Sequence, residues 1–79
     1  MARFSFTMNM PAKNGNSVHQ VIADHGCVSL DEMKFVLAES DFLSVEEMYR
    51  DLNGNYYSKG RILLNYRHIG KVKIFDPVR

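Results

Sequence analysis

The stretch that most constrains this chain is its opening, R-F-S-F-T-M-N-M over residues 3–10, where Phe4, Phe6, Met8 and Met10 recur at strict period two. Successive side chains of a strand point to opposite faces, so the pattern specifies a strand with one buried side. A strand cannot bury a face alone. The rest of the 79 residues must supply the sheet and whatever covers it, and that length allows one core and one domain, residues 1–79.

Pro11 is expected to break this strand, and Asn14-Gly15 favours a tight reversal after it. Residues 17–25, S-V-H-Q-V-I-A-D-H, read two ways. As a helix, Ser17 would cap and Gln20 would complete a capping box. As a strand, the β-branched Val18, Val21 and Ile22 would close a hairpin with residues 3–10. The strand is favoured, because the first strand needs a partner.

Ser29-Leu30-Asp31-Glu32 has the S-x-x-E form of a capping box, with acids in the first helical turn. Leu30, Met33, Val36 and Leu37 follow at helical spacing, and Phe35 and Ala38 widen the stripe. A helix from about Leu30 to Glu39 is expected. Residues 42–50 are again open: Ser44 and Glu47 mimic a capping box, while Leu43, Val45 and Tyr49 suit a strand. Asn53-Gly54 is a strong hairpin signal and favours a strand here, with residues 56–65 as the second arm. Ile69 to Phe75 form a last strand ending at Asp76-Pro77. The expectation is an α+β domain of order ββαβββ, one helix packed on one face of a largely antiparallel sheet.

Its order and size resemble the ubiquitin-like β-grasp, a fold-level likeness that carries no function. The segments ARFSFTMNMP, GNSVHQVI and RILLNYRHIGKVK resemble small bacterial proteins of phage or plasmid type, with no assigned activity to carry over. What that resemblance implies is an accessory protein of a mobile element, acting by binding another macromolecule.

Several function classes lose ground on composition. At 46% hydrophobic and 24% charged, the chain has the make-up of a folded globule. Its apolar runs are too short to span a bilayer, and the opening MARFSFTMNM alternates polar and apolar and lacks the continuous apolar core of a secretion signal. Cys27 is the lone cysteine, so no internal disulfide forms, and a reducing, cytoplasmic setting is expected.

For metal, His19, His25 and Cys27 are close in sequence, but a structural zinc site wants four ligands. No metal or other cofactor is expected. Nucleophilic catalysis would need Cys27 or a serine beside a base and an oriented third group. There is no G-x-S-x-G elbow and no phosphate-cradling glycine loop. Glu46 and Glu47 are adjacent, so on a strand they face opposite ways. The expectation is no enzyme and no small-molecule substrate.

Charge is segregated along the chain. Residues 24–51 carry eight acids against Lys34 and Arg50, whereas residues 52–79 carry six bases against Asp76. On the last strand Lys71, Lys73 and Phe75 share one face, and Val72 and Ile74 the other. With Arg61 on the preceding strand, Arg67 and His68 in the turn, and Tyr56 or Tyr57 as a stacking ring, this is one way to hold single-stranded nucleic acid. Against it, dedicated nucleic-acid binders show a clear basic excess, and here the net charge is only +1. Glu46, Glu47 and Asp51 are expected across the hairpin from Arg61 and Lys59 as neutralising pairs. Lysines on a terminal strand also block edge pairing.

The favoured reading is a protein-interaction module, an inhibitor or accessory of anti-defence type, that binds a protein partner or a second copy of itself. Five methionines, Met48 among them, suit an adaptable contact surface, and open sheet edges accept an added strand. The candidate contacts are Arg61, Arg67, Lys71, Lys73, Phe75, Tyr57 and Met48. Nucleic-acid binding through the basic C-terminal strands is the alternative.

Overall fold

Phe4, Phe6 and Met8, the apolar row of the opening strand, are buried at the heart of a five-stranded sheet. The structure, a computed structural model, describes residues 2–75, with the backbone alone at Asn16; Asp76-Pro77, the expected end of the last strand, lies outside these residues. The elements are β1 (Ala2–Ala12), β2 (Gly15–His25), α1 (Leu30–Glu39), β3 (Phe42–Arg50), β4 (Tyr56–Asn65), a 3-10 turn (Tyr66–His68) and β5 (Ile69–Ile74). This is the α+β order ββαβββ. Both ambiguous segments, 17–25 and 42–50, are strands.

The sheet order is β4-β3-β2-β1-β5, and every neighbouring pair is antiparallel. A β-grasp resemblance would bring a central parallel pair, and none occurs among the described residues. β1 does not stop at Pro11. It pairs with β2 as far as Ala12, opposite Gly15. Its ladder with β5 ends at Met8, so Pro11 lies where β1 has a partner on one side only, and a missing N–H is tolerated there.

One face carries the core. Phe4 and Phe6 of β1, Ala23 of β2, Leu43 and Val45 of β3, Leu64 of β4 and Met33 of α1 form a single cluster, and Val21, Leu37 and Ile74 pack against it. Ser29 caps α1 by accepting from the Glu32 amide at 3.1 Å, while the Glu32 carboxylate accepts from the Val28 amide at 3.4 Å. The reach-back therefore goes one residue beyond the cap itself. The helix buries a narrower stripe than its sequence implies: Met33 is buried and Val36 and Leu37 half-buried, but Leu30 is exposed and Phe35 is 70% exposed. A ten-residue helix presents only one stripe to a sheet, and Phe35 falls outside it.

Two glycines shape the strands. Between Glu47 and Met48 the β3–β4 register skips Lys59, and the bulge is completed by Gly60 at φ +107°, a conformation that favours glycine. On the other edge the β1–β5 register skips Gly70. A Cβ there would stand 2.9 Å from the side-chain nitrogen of Asn9, and the Asn9 side chain would have to swing aside to admit it.

A bulge increases twist, and past Gly60 the hairpin turns back over the sheet's second face. Tyr56 at the start of β4 lies with its ring 6.4 Å from that of Phe75, edge-on at 72°. At the other end of β4 a three-residue turn leads straight into β5. The Tyr56–Phe75 contact and this short connection draw the two edges toward each other without pairing them, and the sheet curls.

Candidate functional site

Alternation along the strands sorts the charged side chains onto the face opposite the core. One row of cross-strand partners runs Arg61 (β4), Glu46 (β3), Asp24 (β2) and Arg3 (β1), and Phe75 follows, its amide donating to the Arg3 carbonyl at 2.9 Å. Within this row Arg3 and Asp24 form a salt bridge at 2.7 Å. In the next rows Lys73 stands opposite Ser5, and Lys71 opposite Thr7. Ser5 is buried and its hydroxyl accepts from the Gln20 side-chain amide at 2.6 Å, which satisfies the one buried polar side chain of this face.

The candidate contacts do not form one cluster. Lys71 and Lys73 are exposed on β5, on the same face, whereas Arg61 stands on the opposite edge with β3, β2 and β1 between them. Arg67 lies in the 3-10 turn, where a hydrogen bond with Tyr66, and then the charge of Asp41, favour its charged form. Phe75 packs on Tyr56. Tyr57 pairs with Tyr49, ring centres 5.9 Å apart, on the other side of the hairpin from Tyr56. Met48 is half-buried between Ile22 and Ser58.

The expected neutralising pairs are realised in part. Glu46 is opposite Arg61 and Glu47 opposite Gly60. Asp51 does something else. Its carboxylate accepts from the amides of Asn53 and Asn55, both at 2.9 Å, and these bonds, the Asn55 amide first, hold its pKa below the usual carboxylate value. Instead of a two-residue Asn-Gly reversal, the connection is a five-residue loop organised by Asp51.

His19, His25 and Cys27 are not a ligand set. His19 stands opposite Met8 and His25 opposite Ala2, six positions apart along β2, about 20 Å at roughly 3.3 Å per residue. His25 Nδ1 accepts from the Cys27 amide at 3.0 Å. Burial, and then the charge of Glu32, push the Cys27 thiol up, which works against a thiolate nucleophile. Among the described residues no three of His, Cys, Asp and Glu are grouped to hold a metal ion.

A concavity lies elsewhere. A groove of about 330 Å³ opens between the β1–β2 hairpin and the base of the β3–β4 hairpin. Met8, Met10 and Val21 line one wall and Phe42, Leu63 and Leu64 the other, with His19, His68 and Asn65 as its polar groups. Phe42 and Leu63 are 56% and 66% exposed. They are diagonal neighbours on one side of the hairpin, since Phe42 pairs with Asn65 and Ser44 with Leu63. The volume is at the lower end of the range for ligand and partner sites, and the composition, mostly apolar with a few polar groups, is typical of them.

Sequence reasoning did not single out this groove. One signal was present: in Ile62-Leu63-Leu64 three consecutive apolar residues cannot all face one core, so one must point outward. Compared with protein-family models, curated proteins and solved structures, the chain matches none.

Proposed function

We propose that this protein is a small, non-enzymatic interaction module that works by binding a protein partner or a second copy of itself. The observation that supports the reading is the open apolar groove with Phe42 and Leu63 exposed beside it. Contiguous exposed apolar surface costs solubility and is retained where something covers it. Met8 and Met10 in the wall give an unbranched, adaptable lining that suits contact with another protein. The resemblance to phage- and plasmid-type proteins favours an accessory or inhibitory role of anti-defence type in the cytoplasm. No helix among the described residues is long and apolar enough to cross a membrane.

A second reading, nucleic-acid binding, draws on Lys71 and Lys73 side by side on β5 with Arg67 in the adjoining turn. It is the weaker of the two, because Arg61 is on the far edge and acids stand between.

Affinity capture separates the readings. Immobilised wild-type chain and Leu63→Asp are each incubated with host lysate, with and without nuclease. A host protein partner gives nuclease-resistant capture that Leu63→Asp loses, whereas self-association gives no host capture and a concentration-dependent mass that Leu63→Asp abolishes. Capture that nuclease abolishes and Leu63→Asp keeps would favour nucleic acid.

A further inference from the structure

We infer that the groove is covered by the same groove of a second copy, in a two-fold dimer where Phe42 and Leu63 of each protomer enter the groove of its partner. This rests on the interaction reading above and names its partner.

The first support is placement. A two-fold interface uses one patch on both subunits, so the projecting and the receiving parts must lie together. Phe42 and Leu63 line the groove they stand beside. A head-to-tail contact would instead put projection and groove on separate surfaces.

The second is charge. Although 24% of the chain is charged, no Asp, Glu, Lys or Arg lines the groove. Near a two-fold axis every charge meets its own copy, and like charges there are costly, so a self-complementary patch must be neutral at its centre. The flanking charges are of opposite sign. Asp41 precedes Phe42, and its carbonyl accepts from the Tyr66 amide at 3.2 Å, which places it beside Arg67. Both are exposed. Across a two-fold axis Asp41 of one protomer can face Arg67 of its partner, and the reverse.

The third is size. The exposed fractions of Phe42 and Leu63 amount to on the order of 100 Å² of apolar surface each. With Met10 and the groove walls, the contact falls below about 1,200 Å² in total, the range of weak and transient interfaces. Area alone does not set affinity, so the test is arranged to cover dissociation constants of roughly 10–100 μM, where weak dimers are read.

Sedimentation equilibrium from about 5 μM to about 1 mM brackets that range. The average mass is expected to rise from the monomer value of 9.1 kDa to twice it and stop there. Leu63→Asp should remain monomeric throughout with an unchanged melting temperature. Charge reversal gives a second test that does not disturb the apolar surface: Asp41→Arg or Arg67→Asp alone should weaken the dimer about tenfold, and mixing the two variants should restore association, because only pairs across the axis are then complementary. A monomer at every concentration overturns the inference, as does a dimer indifferent to Leu63→Asp or growth beyond two copies. A monomer that still captures a host protein through Leu63 would sink the dimer and leave the interaction reading standing. A monomer with no such capture would sink both.

Discussion

Arg3 and Asp24 face each other across the β1–β2 ladder in a two-pronged pair, Nε to Oδ1 at 2.7 Å and the second nitrogen to Oδ2 at 3.1 Å. Tyr56 lies over the same guanidinium, 4.4 Å from the ring centre. The pair thus joins the first hairpin to the second. Arg3→Lys keeps the charge but removes the planar fork and the stacking. The expected loss is about 1–2 kcal/mol, with a fall in Tm of roughly 4–8 °C per kcal/mol at this chain length. Thermal melts by circular dichroism check it, and an unchanged Tm would reduce the pair to a screened surface contact.

Core and helix substitutions should separate sharply. Phe6→Ala and Leu43→Ala each empty a fully enclosed site and are expected to cost about 2–5 kcal/mol, a large part of a small domain's stability. Phe35→Ala, on the solvent side of α1, should stay within about 0.5 kcal/mol. Urea titration measures all three. If Phe6→Ala and Leu43→Ala melt with the wild type, the packing described above is wrong.

His25 gives the fold a defined acid sensitivity. Its Nδ1 can accept from the Cys27 amide only while unprotonated, and burial, followed by the charge of Arg61, lowers its pKa. The unfolded chain therefore takes up a proton near the ordinary value of about 6.5 while the folded chain resists it. The stability contributed by neutral His25 is full above that value and is lost as pH falls below it toward the folded pKa. Denaturant melts at pH 7.5 and 5.5 should show wild type losing more stability than His25→Gln. Equal losses would remove His25 from the account.

The Asp51 loop is tested by amide exchange. Asp51→Ala deprives the Asn53 and Asn55 amides of their acceptor, and both are expected to exchange faster while core amides hold. Since the carboxylate's pKa is lowered in the folded state, its contribution is present above the unfolded value and disappears as pH drops through the folded one. Wild-type exchange at these two amides should approach that of Asp51→Ala, after correction for intrinsic rates, in that acid range alone.

The cations are expected to contribute little to binding. A labelled 20-mer should bind weakly at low salt and not at all near 150 mM, and replacing Arg61, Lys71 and Lys73 by glutamine should leave Tm nearly unchanged. Fluorescence anisotropy across a salt series decides. Submicromolar affinity at about 150 mM salt, with a log–log slope of roughly −2 to −3 that the triple substitution flattens, would put nucleic acid ahead.

The first strand and the helix were legible because each rests on short-range pattern, the alternation at Phe4, Phe6 and Met8 and the cap at Ser29. Residues 17–25 and 42–50 suited helix or strand locally, and only the need for a hairpin partner favoured the strand. The curl of the sheet was not, because it depends on which residue each register skips, and neither Lys59 nor Gly70 announces that locally. Phe35 shows the same limit: apolarity widens a stripe on paper, but the width of the buried face is set by what the helix rests on. The groove needed both hairpins in place before Met8, Phe42 and Leu63 could be neighbours at all.

The place of β1 in the sheet governs how the chain can reach its folded state. Its ladder with β2 closes through a short reversal, but its ladder with β5 pairs Phe4 with Ile74, near opposite ends of the sequence. Such distant contacts make folding slow, on the millisecond-to-second scale of β-rich domains. During synthesis the first hairpin emerges complete while the other side of β1 waits for the last strand to be made. Throughout that interval one edge of β1 is bare, and a ribosome-bound chain in this state is open to pairing with the wrong strand.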